Sequence, residues 1–136
     1  MTPAERLSGQ MPTDADIDAI ARRTLERLPS PFRESLGDIV LLVEPVTDAD
    51  TARGLGLNHP MQLSGLYQGV PLHKQSVSQS GTLPERITLY SRPILAEWRA
   101  TRFSLEQIVS HIVIHEIGHH FGFSDDDMHA LEDSID

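Results

Sequence analysis

Five of the chain's 7 histidines fall between His111 and His129, and the segment His115-Glu-Ile-Gly-His-His-Phe-Gly-Phe-Ser-Asp125 holds the spacing that could do chemistry. His115 and His119 are four residues apart, so on a helix both imidazoles leave one face, about a turn apart. That separation suits two ligands of a single tetrahedral zinc ion, at about 2.0–2.1 Å each. Glu116 follows His115 directly. It can reach a water held at an open zinc position without itself being a ligand. There a carboxylate can take a proton and later return it to a leaving group. A bare His-Glu-x-x-His match in a chain of this composition has a chance probability of roughly 0.02, but requiring Gly122 and Asp125 as well lowers it to the order of 10⁻⁴. The extended pattern is therefore the signal.

The extension also has a mechanical meaning. Two ligands on one helix leave a zinc site incomplete. Gly122 allows a sharp turn where the helix ends, and the chain can then double back to bring Asp125 beside the ion. Asp126, Asp127, His129 and Glu132 compete for the third place; Asp125 is the expected ligand. Three protein ligands leave the fourth position open, the mark of a catalytic rather than a structural zinc. Hydrolysis of a peptide or other amide is the natural chemistry of such a site. His111, one turn before His115, is expected to be packed or to support a ligand, because three histidines on a straight helix span about 12 Å. His120 points roughly 100° away from His119 and is expected on the polar surface. Tyr67 and Tyr90 could donate to an oxyanion, but core tyrosines are the readier expectation.

These groups need a scaffold. Ser104-Leu-Glu-Gln107 is a capping-box pattern opening a helix from Leu105 to about Phe121, with Gly122 placed to end it. Thr13 is a candidate N-cap for an amphipathic helix carrying Ile17, Ile20, Ala21, Leu25 and Leu28. Ile39–Val43 is expected to be a buried strand, and Leu66–Val70 a second strand. Arg86–Tyr90 alternates in polarity like a half-exposed strand, placed either at an edge, where it could pair with an extended peptide, or inside the sheet. Thr47–Leu57 suggests a short helix or turn, Ile94–Arg102 a short helix after Pro93, and Asp125–Glu132 the start of a last helix. His73–Pro84 is expected to be a loop or hairpin tip.

With 136 residues the chain fits one domain, expected over 13–136 behind a loose leader at 1–12. Lys and Arg total 11 against 20 Asp and Glu, a net charge of −9, which disfavours binding to nucleic acid or to an anionic membrane. The absence of cysteine excludes disulfides, thiol nucleophiles and Cys-ligated metals. No apolar run approaches the roughly 18–20 residues of a membrane span, and no signal peptide is visible. A cytoplasmic protein is expected.

The motif His115-Glu116-x-x-His119-x-x-Gly122-x-x-Asp125 resembles that of the zincin metallopeptidases, in the long metzincin form with Asp in place of the usual third His. Together with Gly65-Leu-Tyr-Gln-Gly69 and Leu83-Pro-Glu-Arg-Ile87, it is similar to a bacterial family of minimal zincin-like proteins described as zinc metallopeptidases. The resemblance runs from about Ile17 to Glu132. It implies a small α+β fold, with a short mixed sheet packed against the active-site helix and an N-terminal helix. It implies Zn²⁺ held by His115, His119 and Asp125, with Glu116 as catalytic base acting on a peptide or protein substrate. The large metzincins add a downstream Met-turn and a further subdomain. Here 11 residues follow Asp125, and Met128 is too near to serve as that turn, so the substrate wall is expected to be missing or supplied by a protein partner. A non-catalytic, zinc-stabilised peptide-binding or regulatory module, or an amidase acting on non-peptide substrates, fits the same residues.

Overall fold

The computed structural model describes residues 11–30, 32–36, 38–69 and 85–135. The expected leader, apart from Met11 and Pro12, lies outside them, as do the expected loop His73–Pro84 and the end of the second strand at Val70.

Thr13 opens helix α1 (Asp14–Glu26) as expected: its side chain accepts from the Asp16 N–H, and the Asp16 carboxylate accepts from the Thr13 N–H in return. Ile17, Ile20 and Ala21 then recur on one face and are fully or almost fully buried. A short helix, α2 (Phe32–Leu36), precedes strand β1 (Val40–Glu44). Helix α3 (Ala49–Gly54), capped by Asp48, and a 3₁₀ turn at Pro60–Gln62 lead into β2 (Gly65–Gln68). Strand β3 (Arg86–Tyr90) follows, then α4 (Ser91–Ala100), α5 (Leu105–Phe121) and α6 (Asp125–Ile135).

The sheet has the order β1-β3-β2, parallel between β1 and β3 and antiparallel between β2 and β3. The fold is therefore α+β with a small mixed sheet, as the resemblance implied. Arg86–Tyr90 differs from the half-exposed expectation. It is the central strand, and Ile87, Thr88, Leu89 and Tyr90 are all buried. Neighbouring strands take both of its edges, and elements packed over the sheet take its faces, so its polar positions lose the water that alternation suggests. The edge facing the site is β2 instead. Helix α4 also starts earlier than expected, at Ser91 rather than after Pro93. A proline in the first helical turn costs little, because an N–H there has no intrahelical acceptor.

Helix α5 is the axis of the molecule. Its Leu105, Ile108, Val109, Val113, Ile114 and Ile117 are buried, because α1, α4, α6 and β2 all pack on it. A polar link secures α1: Thr24 Oγ1 lies 2.9 Å from Ser110 Oγ and donates to the Ile20 carbonyl. At the N-terminus of α5 the Ser104 hydroxyl accepts from the Gln107 N–H, and the Gln107 side chain accepts from the Ser104 N–H. Replacing Ser104 with Ala is expected to lower stability by about 1 kcal/mol, read as a lower urea midpoint. An unchanged midpoint would show that packing alone holds this end. At the other end Gly122 has φ 74° and ψ 30°, a left-handed geometry that glycine adopts without a Cβ penalty. The Phe123 N–H reaches back to the Gly118 carbonyl at 2.8 Å. The chain thus reverses into α6, whose first turn is closed by a reciprocal Ser124–Asp127 pair.

Candidate metal centre and cleft

Helix α5 carries His111, His115, Glu116, His119 and His120 within its last three turns. The His115 and His119 rings lie 6.4 Å apart between centroids. His115 Nε2 is shielded from solvent and has no hydrogen-bond partner among the described residues. Burial first, then the neighbouring His111, lowers the proton affinity of His115, while Glu132 and Asp125 are close enough to pull the other way. A neutral imidazole with a dry, unshared nitrogen is the form a metal ion binds, so these residues fit a zinc ion.

Glu116 faces the β2 side of the helix and is partly buried there. That burial raises its carboxyl above the ordinary range, opposed by His119 and by the Tyr67 backbone N–H, which donates to the carboxylate. The strand register explains that bond. Ser64 accepts from Tyr90 across the sheet, so alternate residues Gly65 and Tyr67 turn their backbone groups away from β3, towards the open edge. Glu116 is thereby tied to the edge strand, and a cleft of about 230 Å³ between them is lined by Tyr67, Gly69, Glu116, His119 and His120.

Asp125, the expected third ligand, is the exposed first residue of α6 and bears electrostatically on His115. Of its competitors, Asp127 is occupied in the helix cap. The tightest group of donors among the described residues is His111, His115 and Glu132, whose ligand atoms all lie within 4.8 Å of one another. His119 and Asp125 stand outside it.

Two histidines find partners beyond their own helix. His111, expected to be packed or to support a ligand, is half exposed; its ring lies 3.9 Å from that of His115, and its Nδ1 lies 2.8 Å from Glu132 Oε1. His120 is not plain surface: its ring stacks on Tyr67 at 4.4 Å, and its Nε2 lies 3.5 Å from Glu85 Oε1. The Tyr67 hydroxyl donates to the other Glu85 oxygen at 2.8 Å. Burial and this bond raise the phenol's pKa, so Tyr67 stays a protonated donor. Tyr90, by contrast, is a core residue at 4% exposure. No sequence signal gave Glu85 a role at the site. It enters through strand pairing, far along the chain from His120.

Met128 gave no sign of its supporting role in the sequence either. It is 1% exposed and packs over Gly118, where an added Cβ would clash with its Sδ. It wedges α6 beneath the histidine-bearing turns of α5.

A small α+β domain with a paired-histidine helix, a partly buried glutamate and an adjoining strand edge has the components of a metal-dependent hydrolase. A family model for zincin-like metallopeptidases matches residues 36–135, and the chain belongs to that family. No curated protein matches it. Among the described residues no helix is long and apolar enough to cross a membrane.

Proposed function

We propose that the chain is a zinc-dependent peptidase, with His115, His119 and Asp125 as ligands and Glu116 as the catalytic base. The observation that carries this reading is the pairing of an unpartnered, shielded His115 Nε2 with the partly buried carboxylate next to it in sequence. Zinc held there supplies an acidified water and an electrophile for the scissile carbonyl. Glu116 takes the proton from the attacking water and hands it to the leaving nitrogen. Its raised proton affinity favours both acceptance and temporary retention. The Tyr67 N–H holds the carboxylate at the cleft while it does so.

The substrate is an extended peptide lying along the outer edge of β2, where backbone hydrogen bonds give affinity and alternate side chains give selectivity. A protein partner completing the cleft and a cytoplasmic place of action belong to the same proposal.

The test is metal content by mass spectrometry on wild type and Asp125→Ala, purified side by side, followed by a peptide-library screen with and without chelator. About one zinc per chain, a clear loss in the variant and chelator-sensitive cleavage are expected. Full zinc with no cleavage of any peptide would favour the non-catalytic module. No metal, even after zinc dialysis, would end the enzyme reading.

A further inference from the structure

Two sets of metal-type donors meet at His115. The motif set is His115, His119 and Asp125. The second comprises His111, His115 and Glu132, drawn from two helices, with all three donor atoms inside 4.8 Å. His111 reaches this position because it lies one turn before His115, and their ring centroids are 3.9 Å apart. Glu132 reaches it because α6 folds back along α5, anchored by buried Met128 and Leu131. Its Oε1 lies 2.8 Å from His111 Nδ1, and its Oε2 lies 3.7 Å from His129 Nδ1. An isolated histidine–glutamate hydrogen bond would not need a second imidazole against it. Here one shielded nitrogen of that second imidazole has no partner of its own among the described residues.

We propose that His111, His115 and Glu132 form a second cation position, overlapping the motif site through the shared His115 and flanked by His129. Two imidazoles and a carboxylate suit zinc and the neighbouring borderline divalent ions. The donor types match those of the motif set, so neither set is excluded by ligand chemistry. Because His115 serves both, an ion in the second position gives up His119 and Asp125. The chain then carries a holding position one helical turn before the motif site. This rests on the reading of the motif as a metal site, but it concerns different ligands.

Cobalt(II) is the probe, since its visible absorption reports both coordination and affinity. The full chain is stripped with chelator and titrated as wild type, His119→Ala, His119→Ala/Glu132→Gln and His119→Ala/His111→Ala. His119 is exposed, so its removal leaves the packing intact, and circular dichroism verifies each fold. His119→Ala is expected to keep one cobalt per chain with an altered spectrum. Each double variant is expected to bind at least about 100-fold more weakly than His119→Ala, because it loses a direct ligand and even supporting groups cost 10–100-fold. Asp125→Asn should behave as His119→Ala does. The proposal is overturned if His119→Ala binds no cobalt while wild type does, or if the double variants bind as well as the single one. Absence of binding in wild type would overturn this proposal and the peptidase reading together.

Discussion

Glu116→Gln protein is expected to retain its metal and lose turnover by about 10²–10⁴-fold, the usual contribution of a positioned general base. Gln preserves the shape and can still accept the Tyr67 N–H, so the loss reports the proton-accepting oxygen rather than a displaced side chain. Kinetics and metal analysis on the same preparation check it, and full activity would sink the assignment. The same variant has a second consequence. Burial raises the Glu116 pKa in the folded chain, so the native state binds this proton more tightly than the unfolded state does. The stability linked to that proton is fully present below the unfolded-state pKa and is lost as pH rises through the folded value. At neutral pH the partly buried carboxylate is therefore a cost to the fold. In metal-stripped protein, Glu116→Gln should unfold at higher urea than wild type at pH 7, with the gap closing as pH falls through the raised folded-state value and gone below the unfolded-state carboxyl range, near pH 4. Equal midpoints at pH 7 would mean that the Tyr67 N–H and His119 fully offset the burial.

Met128→Ala is expected to destabilise the chain by about 2–5 kcal/mol, the range for truncating a buried Met, Leu or Ile to Ala. Native domains are stable by about 5–15 kcal/mol in total, so this one side chain under α5 decides a large fraction. Gly118→Ala acts at the same contact from the other side. The new Cβ would clash with the Met128 Sδ, and overpacking of this kind costs about 1–3 kcal/mol, less the roughly 0.5–1 kcal/mol by which Ala favours a helix interior over Gly. The two changes are in contact and should not add. In the double variant the methyl introduced by Gly118→Ala occupies part of the space that the Met128 side chain vacates, so the combined loss should fall below the sum. Urea unfolding of the four proteins closes the cycle. Strict additivity would mean that Met128 does not fill the space over Gly118.

The helix ends were legible because their causes are local. Thr13 with Asp16, Ser104 with Gln107, and Gly122 with its positive φ each act within one turn of chain. The spacing of His115, Glu116 and His119 was legible for the same reason: helical periodicity alone places them. The position of β3 was not legible. Alternation along Arg86–Tyr90 describes one strand, whereas its central place depends on two strands distant in sequence, and burial of its faces depends on the elements packed over the sheet. The partners of two histidines were not legible for the same reason. Position along one helix says nothing of Glu132, which reaches His111 from α6, or of Tyr67 and Glu85, which reach His120 from β2 and from just before β3.

The amino-acid sequence by itself determined a helix that presents two imidazoles and a carboxylate at fixed spacing, a glycine turn that sends the chain back, and the family to which the chain belongs. The first two follow from backbone periodicity and capping, which operate over a few residues. Only the tertiary structure decided that Glu116 packs against the edge of β2, that Met128 props the helix at Gly118, and that Glu132 joins His111 and His115. Burial, proton affinity and convergence of donors are properties of surfaces brought together from separate parts of the chain.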